Sequence, residues 1–81
     1  MAQRVLVFGC ELHVALLYER MFTRKGTPVQ SVSEDGDIGK ALSDFEPTHI
    51  IAGTENAFQV ANELVAKRGS NAKVGRHRAN I

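Results

Sequence analysis

The sequence predicts an α/β fold with three layers, in which a small parallel sheet lies between helices. The first observation is a continuous apolar run, Val5–Phe8, bounded by Arg4 and Gly9. Such a run is typical of a strand that is buried on both faces of a parallel sheet. The second observation is that strand-like and helix-like segments alternate in the order β-α-β-α-β-α, with short connections. Because crossovers are right-handed, we expect the strand order 2-1-3.

The first two helices follow from apolar residues at helical spacing. Helix one is predicted from about residue 11 to 25, where Leu17 and Met21 widen the apolar stripe. A stripe of this width indicates a second contact besides the sheet. Helix two begins after an acidic turn, with Asp35 or Asp37 as its cap, and it ends before Pro47.

Two more strands and a third helix complete the prediction. Val29–Val32 mixes polar and apolar residues, as edge strands do, whereas Thr48–Gly53 is almost continuously apolar. Helix three starts with Thr54 or Asn56 as its cap and stops at Gly69.

We expect one domain over residues 1–70 and a basic tail over 71–81, in which Ala72–Val74 is compatible with a short fourth strand. Such a stub would cover only part of strand three. Because an uncovered apolar edge is an association site, the sequence predicts pairing with another copy or with a different protein. Strand three, helix three and the wide helix one are the expected surfaces.

The composition argues against several classes of protein. A chain of 81 residues that is 43% hydrophobic and 23% charged is a small globular domain rather than a disordered segment. Its apolar stretches are shorter than the roughly 20 residues of a membrane span, and no signal peptide is recognisable. One cysteine allows neither an internal disulfide nor a cysteine-based metal site. We therefore expect a cytoplasmic protein with no cofactor, no metal and no membrane contact.

The charges are divided unevenly along the chain. Residues 1–66 carry five basic and nine acidic side chains, whereas residues 67–81 carry five basic side chains and no acidic one. These five are Lys67, Arg68, Lys73, Arg76 and Arg78. They can contact the phosphates of a nucleic acid or an acidic protein surface, although no aromatic residue is interleaved for base stacking. The alternative is a solvated tail.

A ligand site in an open parallel sheet lies beyond the carboxyl ends of the strands. Six residues follow strands one and three at this edge: Gly9, Cys10, Glu11, Thr54, Glu55 and Asn56. They form either an altered ligand pocket or ordinary loops and caps. Glu11 would repel a phosphate at the start of helix one, which disfavours nucleotide binding. For Cys10, a small buried filler is favoured over a nucleophile, and we predict no catalytic residues.

Three stretches resemble the first half of a response-regulator receiver domain: Arg4–Phe8, Leu16–Gly26 and Ser33–Ile51. The likeness covers about residues 4–66 and implies a flavodoxin-like half-fold. Receivers hold magnesium with acidic residues after strand one and accept phosphate on an aspartate at the end of strand three. Here only Glu11 is acidic after strand one, and residues 51–54 contain no aspartate. The resemblance therefore implies the fold without the phosphotransfer.

A weaker resemblance, to the Toprim domain, covers Val7–Leu17 and Ile51–Val74. That family needs two aspartates after strand three, where this chain has the single carboxylate of Glu55. We therefore predict a non-catalytic module that acts by binding a protein, often itself. A nucleic-acid-binding accessory protein that uses the basic tail is the alternative. An enzyme fragment that keeps ligand binding near Glu11 and Thr54 is a third reading.

Overall fold

The computed structural model describes residues 3–77 and confirms the α/β fold. The strands are β1 (Val5–Phe8), β2 (Val29–Val32), β3 (His49–Ala52) and β4 (Lys73–Arg76). The helices are α1 (Leu12–Arg24), α2 (Ile38–Asp44) and α3 (Glu55–Arg68). All strand pairs are parallel, and the order in the sheet is β2-β1-β3-β4.

β1 lies inside the sheet, between β2 and β3, and all four of its side chains are buried. Leu6 and Phe8 point to one side, where they pack with residues of α2 and α3. Val5 and Val7 point to the other side and pack against Ala15 of α1. Because successive side chains of a strand alternate between its faces, a strand that is apolar throughout contributes to both cores.

A fourth strand was allowed by the sequence, but the expectation that it would cover only part of β3 was wrong. β4 pairs with β3 along its whole length, from His49 opposite Lys73 to Ala52 opposite Arg76. Val74 is the one apolar side chain that β4 adds to the core. The apolar residues that would indicate a strand are therefore too few in this segment to predict it strongly. The edge on this side is therefore β4, and its two exposed basic residues disfavour the addition of a further strand.

The helix ends are fixed by local chemistry. Asp37, rather than Asp35, caps α2, and Thr54, rather than Asn56, caps α3. Each cap accepts a backbone N–H of the first turn at 3.0 Å. Gly69, with φ of +66°, ends α3 in the left-handed conformation that glycine adopts readily. Within residues 3–77, no helix is both long enough and apolar enough to cross a membrane.

α1 packs on the face of the sheet opposite to α2 and α3, and polar contacts hold it on two sides. Towards β2, the Ser31 hydroxyl donates a hydrogen bond to Glu19 at 2.9 Å. Towards the end of β4, the Tyr18 hydroxyl lies 2.6 Å from Nδ1 of His77. Burial raises the pKa of the Tyr18 phenol, which therefore stays protonated at neutral pH and can donate this hydrogen bond.

Candidate functional site

The loops after β1 and β3 pack against each other at the carboxyl edge of the sheet. A Cβ atom on Gly53 would lie 2.5 Å from the carbonyl oxygen of Gly9 and 2.7 Å from the backbone nitrogen of Cys10. Gly9 has φ of +73°, and a Cβ there would lie 2.8 Å from Cβ of Ala57 in α3. Backbone atoms therefore occupy the place where a ligand would enter between these two strands.

A carboxylate from the loop after β2 joins the same edge. Oε1 of Glu34 accepts a hydrogen bond from the Thr54 hydroxyl at 2.8 Å, and its Oε2 accepts one from the Asn56 side-chain amide at 3.0 Å. The contacts connect the loop between β2 and α2 to the start of α3. Glu34 was absent from the sequence prediction. The predicted strand order could have indicated it, because the loop after β2 emerges at the same edge as the loops after β1 and β3.

The Glu34 contacts predict a pH-dependent contribution to stability. Hydrogen bonds from Asn56 and then Thr54 lower the pKa of Glu34 below its ordinary value of 4.5. A carboxyl whose pKa is lower in the folded state stabilises the fold above its unfolded pKa, and this contribution is lost as the pH falls through the folded pKa. Glu34→Gln should therefore flatten the fall in melting temperature between about pH 5 and pH 3.

Asn56→Ala is the partner variant for this prediction. It removes the donor that lowers the pKa of Glu34 most, so it should reproduce part of the flattening while it leaves the carboxylate in place. Melting temperatures are measured by circular dichroism in steps of half a pH unit. Parallel curves for the wild type and Glu34→Gln would show that these hydrogen bonds do not act on stability.

The other acidic candidates at this edge pair with basic side chains or histidine. Glu55 accepts a hydrogen bond from Arg76 of β4 at 2.7 Å, and both side chains are substantially exposed. Glu11 lies 3.4 Å from His13, and both of these side chains are exposed. Over residues 3–77, no group of three His, Cys, Asp or Glu side chains could hold a metal ion. Glu11 and Glu55 thus belong to two separate surface pairs.

Cys10 is half-buried next to α1. Its side chain packs against the apolar cluster that contains Val7 and Ala15. Burial raises the pKa of the Cys10 thiol, so the thiol is protonated at neutral pH. Because the thiolate is the nucleophilic form, this environment favours a packing role over a reactive one.

The basic residues near the C-terminus are distributed over two ends of the sheet. Arg68 and Lys73 line one groove beside the start of β3, and Lys67 precedes Arg68 at the end of α3. Arg68 also donates a hydrogen bond to the Ser43 hydroxyl at 2.7 Å. Arg76 lies at the opposite end of β4, in the contact with Glu55 described above. Arg78, the fifth predicted residue, lies outside the described residues.

A set of exposed apolar side chains lies on α1. Among the described residues, the exposed large apolar side chains are all on this helix: Leu12, Leu16, Leu17 and Met21. Leu12 is 77% exposed and Leu17 is 62% exposed. We call these four residues the α1 strip. They belong to the wide stripe that the sequence predicts, and the sheet covers only the other part of that stripe, around Ala15.

No protein-family model matches this chain, and no curated protein is significantly similar to it. The resemblance to receiver domains therefore rests on residues 4–66 of the sequence itself. The α1 strip and the closed carboxyl edge are the features of the geometry that bear on function.

Proposed function

We propose that this protein is a non-catalytic interaction module that binds another protein through the α1 strip. The observation that carries the proposal is the exposure of four large apolar side chains on one helix. Single exposed apolar residues are common on folded proteins, but a cluster on one element is typical of an interaction surface. The proposal also keeps the receiver-like regulatory role, in which the module acts by binding rather than by accepting phosphate.

The α1 strip adds little to the stability of the isolated chain. α1 is held on the sheet by Ala15, together with the partly buried rings of Tyr18 and Phe22. Leu12 and Leu17, by contrast, keep most of their surface in contact with water. A leucine side chain that becomes fully buried contributes about 1.5–3 kcal/mol. Burial of the strip against another protein would therefore contribute free energy to binding, because these side chains are not buried when the isolated chain folds.

The carboxyl edge supports binding over catalysis. Both carboxylate oxygens of Glu34 already accept hydrogen bonds within the protein, and the Cys10 thiol is protonated at neutral pH. Gly53 packs against the backbone of the loop after β1, so backbone atoms fill the position between the carboxyl ends of β1 and β3. These groups have structural partners, which favours a structural role for the edge.

The double substitution Leu12→Ser/Leu17→Ser should weaken association by roughly 10-fold or more for each leucine, because each loses its buried apolar surface in the complex. The wild type and the variant are each immobilised, and the amounts of other proteins that they capture are compared. Association of each protein in solution is measured by sedimentation velocity. Gln59→Ser, an exposed substitution on α3, is the matched control and should leave association unchanged.

The outcomes separate the two functional predictions. Association of the wild type, with itself or with another protein, that is lost in the double variant supports the α1 strip. Association that survives the double substitution contradicts it. Salt-dependent binding of DNA or RNA that the double variant retains would instead favour the basic residues of the C-terminal segment.

A further inference from the structure

We infer that an extended segment of another protein adds to the sheet along the outer edge of β2 and lies in the groove between this edge and α1. This inference rests on the proposed function and specifies the kind of partner segment that binds. Three features support it: the backbone groups of β2, a cavity beside β2, and the side chains of α1 that face the same edge.

The outer edge of β2 presents backbone groups at the spacing of a strand. In the sheet formed by the described residues, β2 has a neighbour, β1, on one side only. The Gly9 N–H donates a hydrogen bond to the carbonyl oxygen of Val32, so the backbone groups of Val32 and Gln30 face β1. The N–H and C=O groups of Val29 and Ser31 therefore point away from the sheet.

β2 lacks the features by which natural proteins protect an outer strand. Its sequence, Val-Gln-Ser-Val, contains no charged residue and no proline, and it pairs with β1 over all four residues without a bulge. β4, the other outer strand, contains Lys73 and Arg76, which are both exposed. Because main-chain groups on a free edge form hydrogen bonds with extended segments, β2 is the edge at which a strand can add.

A cavity of about 270 Å³ lies beside the carboxyl end of β2, on the face of the sheet that α1 covers. Its walls include the buried residues Val7 and Ala15, together with Cys10, Leu12 and Ser31. A dry cavity of roughly 150 Å³ holds a benzene-sized group, so this cavity has room for the side chain of a leucine or phenylalanine. When a strand adds to an edge, such pockets select its side chains.

The side of α1 that faces β2 extends the apolar surface of this groove. Leu12, Leu16 and Glu19 follow the spacing i, i+4 and i+7, which places them on one side of the helix. Glu19 accepts a hydrogen bond from Ser31 of β2, so this side is the one towards β2. Leu12 and Leu16 therefore lie next to the free edge. The other two residues of the α1 strip point away from it and remain for other parts of the partner protein.

Basic side chains lie further along the same side of α1. Arg20 and Arg24 are exposed and line a shallow groove there, and within residues 3–77 neither forms an ion pair. Arg20 follows Leu12 by eight residues, which is about 12 Å along the helix. Four residues of a strand span about 13 Å, and their first and last side chains point to the same face. The groove therefore fits a segment with an apolar and an acidic side chain four positions apart.

Peptides selected from a random library test this inference. Phage that display ten-residue peptides are selected on the immobilised wild type, and the affinities of synthetic copies are measured by fluorescence anisotropy. We expect peptides with an apolar and an acidic residue four positions apart. Methylation of a peptide backbone nitrogen should weaken binding about 10-fold at every second residue, where the N–H points to β2. Methylation at the residues between should leave binding nearly unchanged.

Two pairs of variants test the protein side of the contact. Ser31→Pro removes an outward N–H that β1 does not use, and it should weaken binding of the same peptides about 10-fold. Ser31→Ala keeps this N–H and should bind like the wild type, although both variants lose the hydrogen bond to Glu19. Leu12→Ser should also weaken binding about 10-fold or more. Met21→Ser, nine residues further on and therefore on the opposite side of α1, should not.

Equal effects of methylation at successive residues would overturn strand addition, and so would peptides that bind Ser31→Pro as tightly as the wild type. The methylation series uses the wild-type protein, so it decides the question even where Ser31→Pro fails to fold. A selection that yields no peptide with a Kd below about 1 mM would also overturn the inference.

Capture of whole proteins separates this failure from that of the proposed function. If strand addition is overturned but Leu12→Ser/Leu17→Ser loses a protein that the wild type captures, the α1 strip binds a folded surface and the proposed function stands. If the double variant captures the same proteins as the wild type, both proposals fail.

Discussion

Replacing Leu6 by alanine should lower the free energy of unfolding by about 3–5 kcal/mol, a large part of the stability of a domain of this size. Leu6 is fully buried in the middle of β1 and belongs to the core that β1 and β3 share with α2 and α3. Phe8 and Ile50 in the same cluster are at most 1% exposed. A cavity at Leu6 would therefore be enclosed by strands that are held in the sheet and cannot easily shift to fill it.

Leu12→Ala is the matched control, because the same substitution is made at a leucine that is 77% exposed. Its effect on the free energy of unfolding should be within about 0.5 kcal/mol. Both variants are unfolded with urea at low micromolar concentration, so that any association between copies does not contribute to the measured stability. Equal losses at the two positions would mean that β1 is not the centre of the core.

Replacing Gly53 by alanine should destabilise the protein by about 3 kcal/mol or more, because the added methyl group meets backbone that is held in place. The new Cβ would lie 2.5 Å from the Gly9 carbonyl oxygen and 2.6 Å from the Cys10 Cα atom. Relief would require the loops after β1 and β3 to separate. That movement would also disturb the start of α3, where Thr54 caps the helix.

Gly75→Ala provides the control for this prediction. Within the described residues, no atom lies within 4 Å of a Cβ at Gly75, and its φ is not in the left-handed region. Alanine there restricts the unfolded chain and should stabilise the protein by up to about 1 kcal/mol. The melting temperature should therefore fall for Gly53→Ala and rise for Gly75→Ala. A Gly53→Ala protein that melts with the wild type would disprove the close packing of the loops.

The elements with strong internal patterns could be predicted from the sequence. β1 is apolar throughout, and the caps Asp37 and Thr54 are residue types that accept backbone N–H groups. β4 is different, because Val74 is its one apolar residue and Gly75 is a poor strand former. Its pairing depends on the backbone of β3, which offers hydrogen bonds whatever the side chains of the partner are.

The sequence could predict the location of the candidate site but not the contacts between its side chains. The topology places the loops that contain Gly9 and Thr54 at one edge, as the strand order implies. Glu34 is far from Thr54 and Asn56 in the chain, so its hydrogen bonds to them depend on how the turn after β2 packs against the start of α3. No local sequence pattern encodes that arrangement. Likewise, the contact between Glu55 and Arg76 exists because β4 completes the sheet next to α3.

The α1 strip shows a further limit of sequence reasoning. Leu12 and Leu17 are as apolar as Tyr18 and Phe22, and all four belong to the predicted wide stripe. Which of them faces the sheet depends on the rotation of α1 about its axis. Contacts at both sides of the helix fix this rotation, through Glu19 towards β2 and Tyr18 towards β4. Those contacts become visible only in three dimensions.

The central position of β1 also has a consequence for biosynthesis. Its register partners for Val5 are Val29 and His49, which follow 24 and 44 positions later in the chain. During synthesis, β1 can therefore pair only after these later segments have left the ribosome. Long-range parallel pairing is slow, and unpaired apolar strands promote aggregation during that interval. The segment that later forms the centre of the folded sheet is thus the one that must avoid aggregation until β2 and β3 pair with it.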